Sequence, residues 1–285
     1  MAITRGDAEA YCRDLVRSAD RDRYLASLFA PDETRSHIQA IYAFNIELAR
    51  VRERTSDPNL SEIRLQWWLD AVEEIYRGRT SAHPVLEALA GAIEHGKLPL
   101  DTLRNMVEAR RFDLYDDPMP DLVSLEGYLG ETSSAVIQLA ALVLAGGDAL
   151  PAAEAAGYAG VAFGIAGLLR SLPVHRSRGQ CFIPAELLER RRRTPAHVLS
   201  GRFDAAIELT LADLRQRAAA CLAEARARAA AVPLNALPAF LPVSLTDLYL
   251  ARLAKPGFNP LDTVAEVSQL RRQWRLAARA FLERY

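Results

Sequence analysis

The side chains best suited to chemistry follow a helix-forming stretch with four glycines on one face. Arg170, His175, Arg176 and Arg178 come after Gly157, Gly160, Gly164 and Gly167, which fall three, four and three residues apart. A guanidinium binds phosphate or carboxylate through its planar fork, and an imidazole facing a cavity can serve as a general base. The competing reading is a satisfied structural histidine beside solvated or acid-paired arginines. Glycine inside a helix costs about 1 kcal/mol relative to alanine, so this face marks a close approach, either of another helix or of a ligand.

Other groupings read more blandly. Asp70, Glu73 and Glu74 form the solvated side of a helix, and Asp113 reads as a surface or capping carboxylate. Arg190 to Arg193 is a run of four arginines, either a solvated helix end or a contact for acidic headgroups or an acidic partner. Pro238 and Pro242 predict an extended apolar segment from Leu237 to Val243, which either packs in the core or offers a docking surface. Cys12, Cys181 and Cys221 are far apart and in no C-x-x-C spacing, so no disulfide framework and no metal site is expected.

The elements that must position these groups are helical. Half of the 285 residues are apolar, enough for a large core, and we expect a single domain over residues 1–285. A net charge of -1 gives no case for nucleic acid. Ala, Leu, Arg and Glu dominate and strand-like alternation is scarce, which predicts an all-α architecture. The pattern predicts helices from Arg5 to Ser18, Glu33 to Arg54 (ended by Ser56, Asp57 and Pro58) and Ser61 to Arg77, the last packing Ile63, Trp67 and Trp68 inward. Pro84 to His95, Pro99 to Leu114, Leu125 to Ala145, Ala152 to Leu172 and Phe203 to Ala231 follow, and Val267, Leu270, Trp274, Ala277 and Phe281 mark a final amphipathic helix. The N-terminus lacks an apolar leader, and the uncharged runs Thr132 to Gly147 and Ala155 to Leu169 stop short of the roughly 20 residues of a membrane span. The expected location is cytoplasmic, with any membrane contact peripheral, at the inner face of the cytoplasmic membrane.

Tyr11-Cys12-Arg13, Tyr42-Ala43-Phe44, His83-Pro84-Val85, Phe112-Asp113-Leu114, Leu168-Leu169-Arg170 and Phe182-Ile183-Pro184 occur in an order that resembles the squalene/phytoene synthase family over nearly the whole chain. The resemblance implies an isoprenoid-synthase-like helical bundle around a central cavity, where two aspartate-rich motifs hold Mg²⁺ against prenyl diphosphates. Both motifs are degenerate. The first falls on Ala49 to Glu53, with Glu53 its only acid, and the second on Ser171 to His175, with none. Gly164 and Gly167 stand where the family has Gln and Asn, and because of Pro173 positions 171 and 175 need not share a face. No catalytic residue is assigned. The candidate ligand-cavity residues are Tyr42, Asn45, Arg52, Asp113, Gly164, Gly167, Arg170 and Arg178.

Phe44 to Ala49, Leu168 to His175, Phe240 after Pro238-Ala239, and Arg64 ahead of Trp67-Trp68 are similar to the branch of that family containing an assembly factor of respiratory complex I, the NADH:ubiquinone oxidoreductase. The chain resembles a bacterial relative within it. This implies a non-catalytic protein without a cofactor that assists complex I assembly, with complex I subunits or assembly proteins as partners, or that binds an isoprenoid or lipid ligand. The alternatives are a Mg²⁺-dependent prenyltransferase joining two isoprenoid diphosphates, and a different reaction in the same cavity. With Arg50, Arg52, Arg170, His175, Arg176 and Arg178 near the former acid positions, the cavity is also expected to reverse sign and hold an anionic, apolar-tailed ligand without metal.

Overall fold

Helices begin where a polar side chain can accept the free N–H groups of a first turn, and this chain supplies such residues repeatedly. The computed structural model describes residues 4–54, 57–148 and 150–285, and among them there is no strand. Thr4 caps α1 (Arg5–Ala19), Asp20 caps α2 (Arg21–Ser27), and α3 spans Asp32–Ala49. Asp57 precedes Pro58 at the start of α4 (Pro58–Tyr76), and the ring of His83 precedes Pro84 at α5 (Pro84–Gly96). There the missing proline N–H costs nothing. Then come α6 (Leu100–Ala109), α7 (Leu122–Leu129, capped by Asp121), α8 (Ala135–Leu144) and α9 (Ala153–Arg170). Three short helices, α10 (Leu172–Ser177), α11 (Ala185–Glu189) and α12 (Pro195–Leu199), lead to the long α13 (Ala205–Ala227), started by Asp204. The chain closes with α14 (Leu237–Phe240), α15 (Thr246–Leu253) and α16 (Gln269–Phe281).

The all-α expectation holds, with 75% of the residues helical. Two helices lie at the centre. α3 packs on α1, α5 and α8, and α9 packs on α8, α13 and α15. Ile38, Ile41, Tyr42, Phe44 and Leu48 of α3 are almost wholly buried. The sequence-based ends of several helices are too generous. The second helix stops at Ala49 and continues as a 3₁₀ turn, Arg52–Arg54, and the helix expected to reach Leu114 gives way at Ala109 to another, Arg110–Leu114. Ser56 lies outside the described residues.

The glycine face of α9 resolves into two uses. Between α7 and α8 the backbone forms a π turn, Gly130–Ser134, whose Ser133 and Ser134 hydroxyls donate to the carbonyls of Gly160 and Gly157, each at 2.8 Å. A Cβ on Gly160 would lie 2.3 Å from the Ser134 Cα, and one on Gly164 would lie 2.6 Å from the Leu129 side chain. Gly157 and Gly167 face open space.

Three packing expectations are corrected. On α4 the covered face is Ser61, Leu65, Trp68, Leu69 and Val72, and Ile63 and Trp67, on the other side of the helix, are exposed. The segment from Leu237 to Val243 is helical and buried, because Pro238 and Pro242 each sit in the first turn of a short helix where no hydrogen bond is lost. Burial removes it as a docking surface. On α16 only Leu276 is buried, while Leu270, Trp274 and Phe281 face solvent.

Leu122–Leu144 and Leu234–Leu253 are long and apolar enough to cross a membrane by length and composition, yet 67% and 72% of them is buried inside the protein, as in core helices. The arginine run is neutralised locally. Arg190, Arg191 and Arg193 pair with Glu186, Asp213 and Asp204, which fits a helix end.

The glycine geometry predicts opposite signs for one substitution at two positions. Gly160→Ala forces α9 and the π turn apart and should lower the unfolding free energy by about 2 kcal/mol. Gly157→Ala meets nothing and should raise it by up to about 1 kcal/mol through helix propensity. Urea unfolding of the two variants beside the parent measures both.

Candidate functional site

The ends of α3 and α9 and the two 3₁₀ turns open onto a cavity of two joined compartments. The outer one, about 700 Å³, is lined by Ala49, Arg52, Glu53, Asp113, Asp116 and Arg178 among others. The inner one, about 590 Å³, is lined by Asp20, Asp22, Arg23, Asn45, Gly164, Gly167, Arg170, Ser171, Tyr249 and Arg272 among others. Arg110, Tyr128, Leu168 and His175 line both and stand between them.

At the heart of that partition is a polar network centred on Arg110. Arg110 donates to Asp113 Oδ2 at 3.1 Å, to the Tyr128 hydroxyl at 2.9 Å and to Asn45 Oδ1 at 3.2 Å. The Tyr128 hydroxyl donates to Asp113 Oδ1 at 2.7 Å. Burial, followed by the Asp113 charge, holds the Tyr128 phenol well above its ordinary range, so it remains a donor. The His175 ring packs edge-on against Phe182 at 4.9 Å, and its Nδ1 has no hydrogen-bond partner. Burial first, then the nearby Arg178 and Arg110, push His175 down to about 4. The imidazole is neutral at pH 7 and cannot assist as a cation.

In the outer compartment, Arg52 is a tie between loops. It donates to the backbone carbonyls of Asp113, Tyr115 and Arg178 at 2.8, 3.1 and 3.2 Å and also pairs with Asp116. Arg178 pairs with Glu53 at 2.7 Å. In the inner compartment, Asp22, 3% exposed, collects Arg170 at 3.1 Å, the Tyr249 hydroxyl at 2.5 Å and Arg272 at 3.1 Å. Arg170 also lies over the Tyr249 ring at 4.5 Å. Beside it, Arg23 pairs with Asp20 at 2.7 Å and stacks near Phe163.

Of the residues singled out from sequence, Ala49, Glu53, Arg52, Asp113 and Arg178 meet in the outer compartment, and Asn45, Gly164, Gly167, Arg170 and Ser171 in the inner one, with His175 at both. Tyr42 is corrected: it is 2% exposed, lies beneath Arg23 in the core and lines neither compartment. Arg176 turns away to Asp262, and Arg50 lines neither compartment. Pro173 does not separate Ser171 from His175. It occupies the first turn of α10, the His175 N–H still donates to the Ser171 carbonyl at 3.0 Å, and both side chains face the cavity.

Asp22, Arg23, Arg110, Tyr128, Tyr249 and Arg272 went unmarked in the sequence. Alternating acid and base in Asp20-Arg21-Asp22-Arg23 reads locally as a solvated helix start. The Arg110 signal was its position in the turn of the Phe112-Asp113-Leu114 motif.

The sign reversal is only partial. Seven arginines line the two compartments against six carboxylates, and most of the carboxylates are engaged by arginine. A dication does not fit here. Of the positions equivalent to the metal-binding motifs only Glu53 is an acid, and it is tied to Arg178. Among the described residues no group of three His, Cys, Asp or Glu side chains could hold a metal ion.

The neutral His175 generates a pH prediction. An unfolded histidine titrates near 6.5 and this one near 4, so the folded state binds fewer protons between those values. Stability is fully present above about pH 6.5 and falls as the pH drops toward 4, by on the order of 3 kcal/mol for this group. His175→Gln removes that share. Thermal melts of variant and parent should show a shallower loss between pH 6.5 and 4 in the variant.

Residues 16–278 match the squalene/phytoene synthase family. The chain is 33% identical over 250 residues to the human NADH dehydrogenase (ubiquinone) complex I, assembly factor 6, covering 87% of this chain and 74% of that one. It is 31% identical over 265 residues to the Drosophila melanogaster homolog, covering 90% and 78%. With the chloroplastic phytoene synthase 3 of Zea mays it shares 28% over 200 residues, covering 67% and 46%. Squalene synthase HpnC from Alicyclobacillus acidocaldarius aligns with a TM-score of 0.78 at 22% identity, covering 89% of this chain and 95% of that one. A dehydrosqualene synthase in complex with ligand gives 0.81 at 18% identity, covering 99% and 98%. These structures establish an isoprenoid-synthase fold, and the family match and sequence identities establish descent: the chain belongs to the squalene/phytoene synthase family.

Proposed function

We propose that this protein is a non-catalytic member of its family that assists assembly of respiratory complex I and uses its cavity to hold an anionic, apolar-tailed ligand without Mg²⁺. The observation that carries the reading is the engagement of the cavity acids by arginine: Glu53 by Arg178, Asp113 by Arg110, Asp116 by Arg52, and Asp22 by Arg170 and Arg272. Ionisation of a prenyl diphosphate needs a metal cluster to take up the charge of the leaving group, an effect worth several kcal/mol. Here cations already occupy that space. The extensive identity to complex I assembly factors over most of the chain supports the assembly role. Subunits or assembly proteins of that complex are the partners this implies.

Purified protein incubated with Mg²⁺ and farnesyl or geranylgeranyl diphosphate should release no pyrophosphate above a heat-killed control. Mg²⁺-dependent release would overturn the non-catalytic reading. Combining Ala49→Asp, Ser171→Asp and His175→Asp should not restore turnover, because Arg52, Arg110 and Arg178 remain beside the new acids. Calorimetric titration with a prenyl diphosphate in EDTA should show binding that weakens about tenfold in Arg178→Ala, the loss of one charge-assisted contact. Binding that appears only with added Mg²⁺ would contradict the metal-free site. Deleting the chain from its source cell should lower the amount of assembled complex I in membranes, and an unchanged amount would remove the assembly role.

A further inference from the structure

Opposite its packed side, α16 presents an apolar stripe that none of the described residues covers. Leu270, Trp274, Ala277 and Phe281 stand at i, i+4, i+7 and i+11, one face of a helix. Leu270 is 80% exposed, Trp274 77% and Phe281 89%, and Leu282 just beyond is exposed as well. Singly exposed apolar residues are ordinary, but an aligned row of a leucine and two aromatic rings is a contact surface.

The helix is held rigidly enough to present that row. Leu276 is fully buried, and Arg272 reaches Asp22 at 3.1 Å. Beyond the helix, the Tyr285 hydroxyl donates to the Ala225 carbonyl at 2.8 Å while its ring packs on Phe240. The stripe therefore stays on the outer face of a helix anchored at both ends.

Charge identifies what covers it. α16 carries Arg271, Arg272, Arg275 and Arg279 and no acid, and Glu283 and Arg284 follow. Among the described residues Arg271, Arg279 and Arg284 have no carboxylate within ion-pair distance, whereas Arg272 and Arg275 are paired to Asp22 and Asp247. Arg279 lies on the packed side of the helix, where burial first, then repulsion by Arg226 and Arg275, lowers its pKa, so it does not face outward with the stripe. A second copy docking through this face would bring two arginine-rich helices together, which like-charge repulsion disfavours. An anionic bilayer satisfies both features, because its acyl boundary takes the Trp, Phe and Leu side chains and its headgroups take the arginines.

We propose that α16 is an interfacial membrane-docking helix that lays the Leu270, Trp274, Phe281 stripe into the surface of an anionic bilayer, with Arg271 and Arg284 on the headgroups. The stripe lies on the face of α16 opposite Arg272, the residue of this helix that lines the inner compartment, and its role is separate from the function proposed for the cavity. It also lies elsewhere than the Arg190 to Arg193 run, whose charges are largely taken up within the protein.

Flotation of the full chain with vesicles of phosphatidylcholine, alone or mixed with phosphatidylglycerol, tests this. Binding should favour the phosphatidylglycerol vesicles and weaken with salt. It should fall at least about tenfold in Trp274→Glu/Phe281→Glu and in Arg271→Glu/Arg284→Glu. Because the chain has three tryptophans, a second measurement fixes the face. Brominated acyl chains should quench the parent's fluorescence, and the part lost in Trp274→Phe, which keeps the stripe apolar, should be most of that quenching. The proposal is overturned if the parent floats with neither vesicle, if the folded Trp274→Glu/Phe281→Glu variant floats as the parent does, or if quenching survives Trp274→Phe. A solution dimer that the double glutamate variant dissolves, without vesicle binding, would assign the stripe to a second copy and equally overturn it.

Discussion

A carboxylate carried into the wall of a helical bundle loses its water and must be compensated, and in this protein arginine does so. Asp22 is 3% exposed, Asp113 8% and Glu47 1%. Removing a partner from such a group typically costs several kcal/mol, because the remaining charge stays buried and unpaired. The compensating arginines come from distant elements: Arg170 from the end of α9 and Arg272 from α16 meet on Asp22 of α2, while Arg110 joins Asp113 to Tyr128 of α7 and Asn45 of α3. Neutralising the cavity wall and joining the helices around it are thus one set of interactions.

This requirement changes what the cavity can hold. A dication needs acids that converge on one point with their oxygens free. Here the acids converge on guanidinium groups, and the forks of Arg52 and Arg110 are spent on backbone carbonyls, side chains or both. Arg178, bound through an exposed pair with Glu53, is the arginine most easily released to an incoming anion, because an exposed ion pair is weakly held. The family scaffold is kept while the residue types at its motif positions differ.

Close packing sets the same walls from the other side. Gly160 lets the π turn Gly130–Ser134 lie against α9 backbone to backbone, and the two serine hydroxyls that bond across it fix the register. Gly164 makes room for Leu129, and only Gly167 leaves unfilled space along the inner compartment. The glycine row serves helix packing for most of its length and the cavity at its end.

Local chemistry made the helices, their caps and the lineage legible in the sequence. Asp57-Pro58, His83-Pro84 and Asp204 start helices because a nearby acceptor or a preset φ suffices. The ordered short motifs carried the family, and the identities Ala49 and Ser171 showed by themselves that acids were missing. Tertiary structure alone decided which face of an amphipathic pattern is covered. Periodicity aligned Leu270, Trp274 and Phe281 on α16 and told nothing of whether a neighbour lay against them, just as it could not place Trp67 outside and Trp68 inside on α4. It alone decided that Pro238 and Pro242 start buried helical turns, since a proline's lost N–H matters only where a hydrogen bond would have formed. And it alone brought Asp22, Arg170, Tyr249 and Arg272 to one point. A helix cap or the alignment of side chains along a helix is set by neighbours within a few residues, whereas the covering of that face and the compensation of a buried charge are set by whatever the folded chain carries to them.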